Sequence, residues 1–171
     1  MDKQTPKPQD VVTKDFVNAM ASAAMGVSVV TTSGNAGLFG LTVSAWSSVS
    51  VEPPIVLICI NRKNRIVKAI TGNNRFVVNA LDVNHVELAK TFAGRPKTGK
   101  AYAFSDADWM QTPKGETLLK GASATFCCDV DSYQDVGTHR VFMGRVHAVT
   151  TDTATPLIYH NRTFGRFDPL S

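Results

Sequence analysis

Residues 40–64, GLTVSAWSSVSVEPPIVLICINRKN, carry the side chains of this 171-residue chain best suited to grip a small molecule. The segment opens with small and hydroxylated residues, turns at Pro53-Pro54, runs through an apolar stretch and closes on Arg62-Lys63-Asn64. A strand this poor in bulk lets a flat ligand lie against the main chain, with Thr42, Val43, Ser44 and Ala45 offering backbone groups and short hydroxyls. Ser47, Ser48 and the Asn61, Arg62, Lys63, Asn64 loop then suit a phosphate, through hydroxyls and cations. The rival reading of the same residues is an ordinary serine-rich barrel strand.

The local charge agrees with an anionic ligand. Between Glu52 and Asp82 there is no acidic residue, whereas Arg62, Lys63, Arg65, Lys68 and Arg75 fall inside. A solvated basic helix face explains Lys68 and Arg75 equally well. Overall, the net charge of +4 reflects basic residues that are spread along the chain, with no nucleic-acid motif.

Other chemistries find little support. Glycine-rich phosphate loops, a GxSxG elbow and an HExxH pair are all missing from the sequence. His85, His139, His147 and His160 are scattered, and an extended chain rising about 3.3 Å per residue holds His139 and His147 too far apart to share a metal. No metal site is expected. Asp106 and Asp108 beside Trp109 read as a solvated pair, so hydrolysis has no candidate machinery.

The positioning elements are mostly strands. Phe16, Met20, Ala23 and Ala24 share one face of a helix expected over 13–25, capped by Thr13 and stopped by Gly26. Strands are expected over 27–32, 38–51, 55–60, 76–80, 123–130, 140–150 and 157–160, with helices over 65–71 and 83–92. Residues 93–120 read as a long surface connection. This pattern, mainly β with short helices and no βαβ rhythm, predicts a closed or partly closed barrel. One domain is expected over 13–171, preceded by a flexible arm over 1–12. No stretch is long and apolar enough for a membrane helix, and the charged N-terminus lacks the apolar core of a signal peptide. With three cysteines (Cys59, Cys127, Cys128) in no metal spacing, the reading is cytoplasmic.

Several stretches in order resemble the short-chain NAD(P)H:flavin oxidoreductases that serve two-component monooxygenases, such as the phenol and 4-hydroxyphenylacetate hydroxylase reductases. They are GVSVVTT (26–32), the 40–50 run, PPIVLICINRKN (53–64), FVVNAL (76–81), LAKTFAG (88–94), GTHRVFMGRV (137–146) and PLIYHNRTFGRF (156–167). The resemblance implies a split β-barrel of Greek-key type, a homodimer, and hydride transfer from NADH or NADPH to FMN or FAD. It implies that Thr42, Val43, Ser44 and Ala45 lie along the isoalloxazine, and that Ser47, Ser48, Asn61, Arg62, Lys63 and Asn64 hold the ribityl-phosphate end. Phe92 would border the pocket, and Arg166 with Phe167 would close it. His139 matches the family's nicotinamide-facing histidine, although Thr138 stands where many members carry aspartate. Trp46 is bulkier than the residue often found there, and Tyr159 is assigned to the core. Arg95 and Lys97 suit either a dinucleotide phosphate or a solvated loop.

The implied partner is an oxygenase that takes the reduced flavin. Two other functions fit the same residues: a flavin-dependent corrinoid reductase, and a flavin-binding carrier or sensor without turnover.

Overall fold

The computed structural model describes residues 12–105 and 108–170; the expected arm, apart from Val12, and Asp106 lie outside the described residues. Its centre is a seven-stranded antiparallel sheet. In chain order the strands are β2 (Ser28–Thr32), β3 (Phe39–Val43), β4 (Trp46–Ser50), β5 (Ile55–Asn61), β6 (Arg75–Ala80), β9 (Ala124–Val136) and β10 (His139–Thr151). In space the order is β3-β2-β6-β9-β10-β5-β4.

The two edges of that sheet, β3 and β4, are consecutive in the chain and joined only by Ser44-Ala45. Laid flat, seven strands about 4.8 Å apart would separate the edges by roughly 29 Å, far beyond the about 10 Å that such a link spans. The sheet therefore curls until its edges meet at one end, which makes a split barrel. This is why the expected single strand over 38–51 is two. Trp46 N–H donates to Ser44 O at 3.2 Å and Cys59 N–H to Ala45 O at 2.9 Å, which fixes the corner.

Inside, Val30, Val43, Val56, Ile58, Ile60, Phe76, Val78, Cys128 and Phe142 form one continuous core with α2 (Ile66–Asn73). Strand β5 is apolar on both faces, but only Val56, Ile58 and Ile60 are fully buried; Ile55, Leu57 and Cys59 face outward and stay half-exposed. Cys127 and Cys128 point to opposite sides into separate clusters. Burial pushes their thiols up to about 11 and about 12 respectively.

The first helix is shorter than its pattern suggests. α1 spans Thr13–Ala21 with Val12, not Thr13, at its N-cap. Gly26 does not end it, because Met25–Gly26 forms a short strand, β1, paired with β11 (Leu157–His160). β11 in turn pairs with β12 (Thr163–Arg166), giving a three-stranded sheet.

Residues 93–120 are more ordered than a surface connection. They contain a hairpin of β7 (Trp109–Gln111) and β8 (Thr117–Leu119). Asn79, fully buried on β6, accepts from Leu119 N–H at 2.8 Å and donates to Val29 O at 2.9 Å. This amide, together with Thr31 Oγ1 donating to Thr117 O at 2.6 Å and Arg75 Nη1 donating to Lys114 O at 2.7 Å, pins the hairpin to the barrel, a polar device that hydrophobic periodicity does not reveal.

A last contact sets the site. α3 (Val86–Phe92), preceded by a 3-10 turn over Val83–His85, lies against β3 because Gly40 has no side chain. A Cβ there would lie 2.5 Å from Phe92 and 3.0 Å from Phe104. Gly40→Ala should therefore destabilise the fold by about 1–3 kcal/mol through overpacking, read as a lower urea midpoint at unchanged m-value.

Candidate functional site

Where the barrel edges meet, β3 reaches its end with one side unpaired among the described residues, since its ladder is only with β2. Unpaired backbone N–H and C=O groups there remain available to a ligand. The adjoining space is a cleft of about 430 Å³, within the about 300–1,000 Å³ usual for small-molecule sites. Thr42, Val43 and Ser44 form its strand wall, and Val27, Tyr159 and Phe164 its apolar floor.

Each wall is held by a specific contact. Thr42 Oγ1 donates to Ala89 O at 2.7 Å, which ties β3 to α3 and brings Lys90, Ala93 and Arg95 to the cleft. Tyr159 and Phe164 are register partners on the β11–β12 hairpin, with ring centroids 5.1 Å apart. The hairpin turn, Asn161-Arg162, adds Arg162 to the rim. Tyr159, assigned to the core, does pack against it, and it also faces the cleft.

The loop after β5 is the second part. Asn61 Oδ1 accepts from Lys63 N–H at 3.0 Å, and Asn64 Oδ1 accepts from Ile66 N–H at 3.1 Å, which folds the loop onto the start of α2. Lys63, Asn64 and Arg65 border a 420 Å³ hollow whose far side is Phe39, Gly40 and Tyr102. Arg62 does not line this hollow but an adjoining one of about 320 Å³, shared with Lys63, Asn64 and Arg65. Its Nη1 meets Asp135 Oδ2 at 3.4 Å, and Arg140 also engages Asp135 at 2.7 Å. Hydrogen bonds from Arg140, and then from Arg62, hold the Asp135 carboxyl below its ordinary range.

His139 opens β10 directly across from Asn61, so it stands with this loop and is not a lining residue of the 430 Å³ cleft. Its Nδ1 shares a hydrogen with Thr138 Oγ1 at 2.9 Å. Ser47 and Ser48 lie exposed on β4, the other barrel edge, while Ala45 forms the corner between the edges.

Three expected pocket residues lie elsewhere. Phe92 is fully buried, edge-on against Phe104 at 4.8 Å and Trp109 at 5.4 Å, and is not among the residues lining the cleft. Arg166 pairs with Asp168 at 3.3 Å beside a separate hollow on the far side of the hairpin, and Phe167 is exposed. The cleft also has Lys90, Arg162 and Phe164, which lie within the LAKTFAG and PLIYHNRTFGRF stretches but were given no role there. The NR dipeptide between two short strands was the available signal for Arg162, through the turn it makes.

A split β-barrel whose slit opens on a small-residue strand, next to a basic loop, is the architecture of a flavin-handling oxidoreductase. Residues 20–168 match the flavin reductase like domain, and the chain belongs to that family. The FMN reductase (NADH) RutF of Bradyrhizobium diazoefficiens is 38% identical over 165 residues, 94% of this chain and 91% of that protein. The 4-hydroxyphenylacetate 3-monooxygenase reductase component of Salmonella typhimurium is 34% identical over 150 residues, 87% of this chain and 88% of that one. Among solved structures, the flavin reductase PheA2 in its native state superposes with a TM-score of 0.84 at 28% identity, covering 93% of this chain and all (100%) of that one. The NADH:FAD oxidoreductase SgcE6 of Streptomyces globisporus, in complex with NAD and FAD fragments, gives 0.82 at 26% identity, covering 97% and 98%. The chain is an NAD(P)H:flavin oxidoreductase, and a flavin and a nicotinamide nucleotide are its redox pair. Among the described residues no helix is long and apolar enough to cross a membrane.

Proposed function

We propose that the chain binds flavin with the ring edge along Thr42, Val43, Ser44 and Ala45 and the phosphate at the 61–64 loop, and passes reduced flavin to a partner monooxygenase. The observation that carries this reading is the unpaired, small-residue edge of β3 opening onto a cleft of ligand size. The chemistry supplied by the bound pair is hydride transfer from nicotinamide C4 to flavin N5.

The protein's part is alignment and control of water. The β3 backbone groups and the Ser44 hydroxyl hydrogen-bond the polar edge of the ring, while Val27, Val43 and Phe164 give its faces an apolar bed. Lys63 and Asn64 hold the phosphate; Arg62, engaged with Asp135, contributes to it through the loop's shape. His139 orients the nicotinamide carboxamide. Its position in the GTH motif supports this role, as does a ring whose Nε2 has no partner among the described residues.

A homodimer completes the assembly. Leu57, Cys59, Val141 and Met143 form a half-exposed apolar patch on the outer face of β5 and β10, bordered by the exposed Val49 and Val136. A second copy covering that patch removes it from water. The names of the relatives support an oxygenase as recipient, since one of them is the reductase component of 4-hydroxyphenylacetate 3-monooxygenase.

Anaerobic stopped-flow absorbance with excess FMN or FAD, mixed with NADH and then NADPH, tests the activity. Repeated bleaching of the visible flavin band is expected; tight flavin binding without bleaching would leave a binding protein. Lys63→Ala should weaken FMN by roughly tenfold, the loss of one charge-assisted contact, and leave riboflavin nearly unchanged. Equal losses for both would remove Lys63 from the phosphate. His139→Ala should raise the nicotinamide KM with flavin affinity intact, and unchanged nucleotide kinetics would take His139 out of the site.

A further inference from the structure

The rim of the 430 Å³ cleft carries more positive charge than the proposed flavin pose uses. Lys90, Arg95 and Arg162 come from three separate places: the last turn of α3, the segment after it, and the β11–β12 turn. Among the described residues no acidic side chain lines the cleft. Lys90 is partly neutralised by Glu87, at 2.7 Å, whereas Arg95 has no side-chain partner among the described residues.

Arg162 is the least expected of the three. Asn161 and Arg162 have φ of 46° and 62°, so both central residues of the turn are left-handed. The register His160↔Thr163 makes it a two-residue hairpin turn, of the kind that favours Asn-Gly. Asparagine tolerates that conformation; arginine has no intrinsic reason to adopt it, and glycine would relieve it. The turn is clamped from behind, where Asn161 N–H donates to Ala21 O at 2.7 Å and Arg162 Nη2 donates to Asn18 Oδ1 at 3.1 Å. That bond uses one of the five guanidinium donors and leaves the others to the cleft. A side chain kept at a strained position and steered to a cationic rim points to a ligand contact.

The flavin pose identifies which ligand. FMN has one phosphate, assigned above to the 61–64 loop, and the ring it presents to β3 is neutral when oxidised and carries at most one charge, at N1, when reduced, too little for three cations. With FMN as the flavin, the remaining anionic reactant is the nicotinamide nucleotide, whose pyrophosphate bears two charges; the pyrophosphate of FAD is the rival occupant, and a rise in NADH KM with bound FMN separates the two. We propose that Arg162, with Arg95 and Lys90, binds the pyrophosphate of the nicotinamide dinucleotide and so sets this enzyme's nucleotide affinity. Arg162 acts on binding and not on the hydride step, since the groups it grips are remote from the reacting carbon. The inference rests on the flavin pose proposed above.

ADP-ribose carries the pyrophosphate without nicotinamide or flavin, so it is the probe. Its affinity is measured by titration calorimetry on FMN-saturated protein, alongside the FMN dissociation constant, the melting temperature and the NADH KM. Arg162→Gly should weaken ADP-ribose roughly tenfold, raise the NADH KM in parallel and flatten the salt dependence of binding. The FMN constant should stay put, and the melting temperature should hold or rise as the left-handed strain is relieved. Arg162→Lys, keeping charge at the same turn, should retain much of the ADP-ribose affinity. The proposal is overturned if Arg162→Gly binds ADP-ribose as tightly as the parent, or if the parent does not bind it. It is equally overturned if FMN affinity falls as far as that of ADP-ribose, which would make Arg162 a flavin-phosphate ligand. Failure of the underlying reading registers separately, as protein that binds ADP-ribose through Arg162 and never bleaches flavin.

Discussion

The short link between β3 and β4 is the constraint on which the rest of the molecule depends. Joining the two outer strands of a seven-stranded sheet by Ser44-Ala45 forces the sheet to curl. The same link keeps it from closing, because the edges meet at a corner instead of running side by side. An open barrel edge is ordinarily a hazard, a row of unpaired amides that invites another strand. Here the hazard is localised to a few small residues, and α3 and the β11–β12 hairpin wall it in. An unpaired main-chain edge facing a cleft follows from topology, with no specialised side chain needed to create it.

The packing devices around that edge cooperate. Gly40 lets Phe92 approach the strand, Thr42 fastens the strand to Ala89, and together they fix where Lys90 and Arg95 emerge. On the other side the Tyr159–Phe164 pair gives the hairpin an apolar face directed at the same cleft. Charge is segregated along the site. Lys63 and Arg65 lie by the loop after β5, and Lys90, Arg95 and Arg162 lie on the rim, with apolar and hydroxyl surface on β3. A ligand with separated anionic and aromatic parts matches that distribution better than a uniformly charged one.

Much of this was legible in the sequence because it is local. The alternation through 38–51, the apolar 55–60 run and the Asn-rich end of α2 each encode their own geometry; Asn74, for instance, takes the left-handed cap with φ of 53°. The small-residue run and the basic loop were legible for the same reason. What escaped depended on contacts between distant segments. The corner at Ser44-Ala45 is hidden because apolar and polar residues keep alternating across it in the sequence. The β7–β8 hairpin is hidden because the buried amide of Asn79, far off in sequence, organises it. The burial of Phe92 was hidden for a related reason: its motif marks its position in the helix but not which side of the helix faces the core. Arg162 reaches the cleft only because β1, β11 and β12 form a sheet of their own.

The cleft draws its walls from Val27, from 42–44, from 90–95 and from 159–164, four stretches spread over most of the chain. No fragment and no partly unfolded form presents more than a portion of it. Any occupant consequently binds only the completed fold, and by mass action it shifts the folding equilibrium by RT ln(1 + [L]/Kd). An occupant of that cleft is in that sense a conformational warden as well as a reactant: at low ligand concentration the same molecules sample open forms more often. Resistance to unfolding therefore rises with the concentration of whatever the cleft binds.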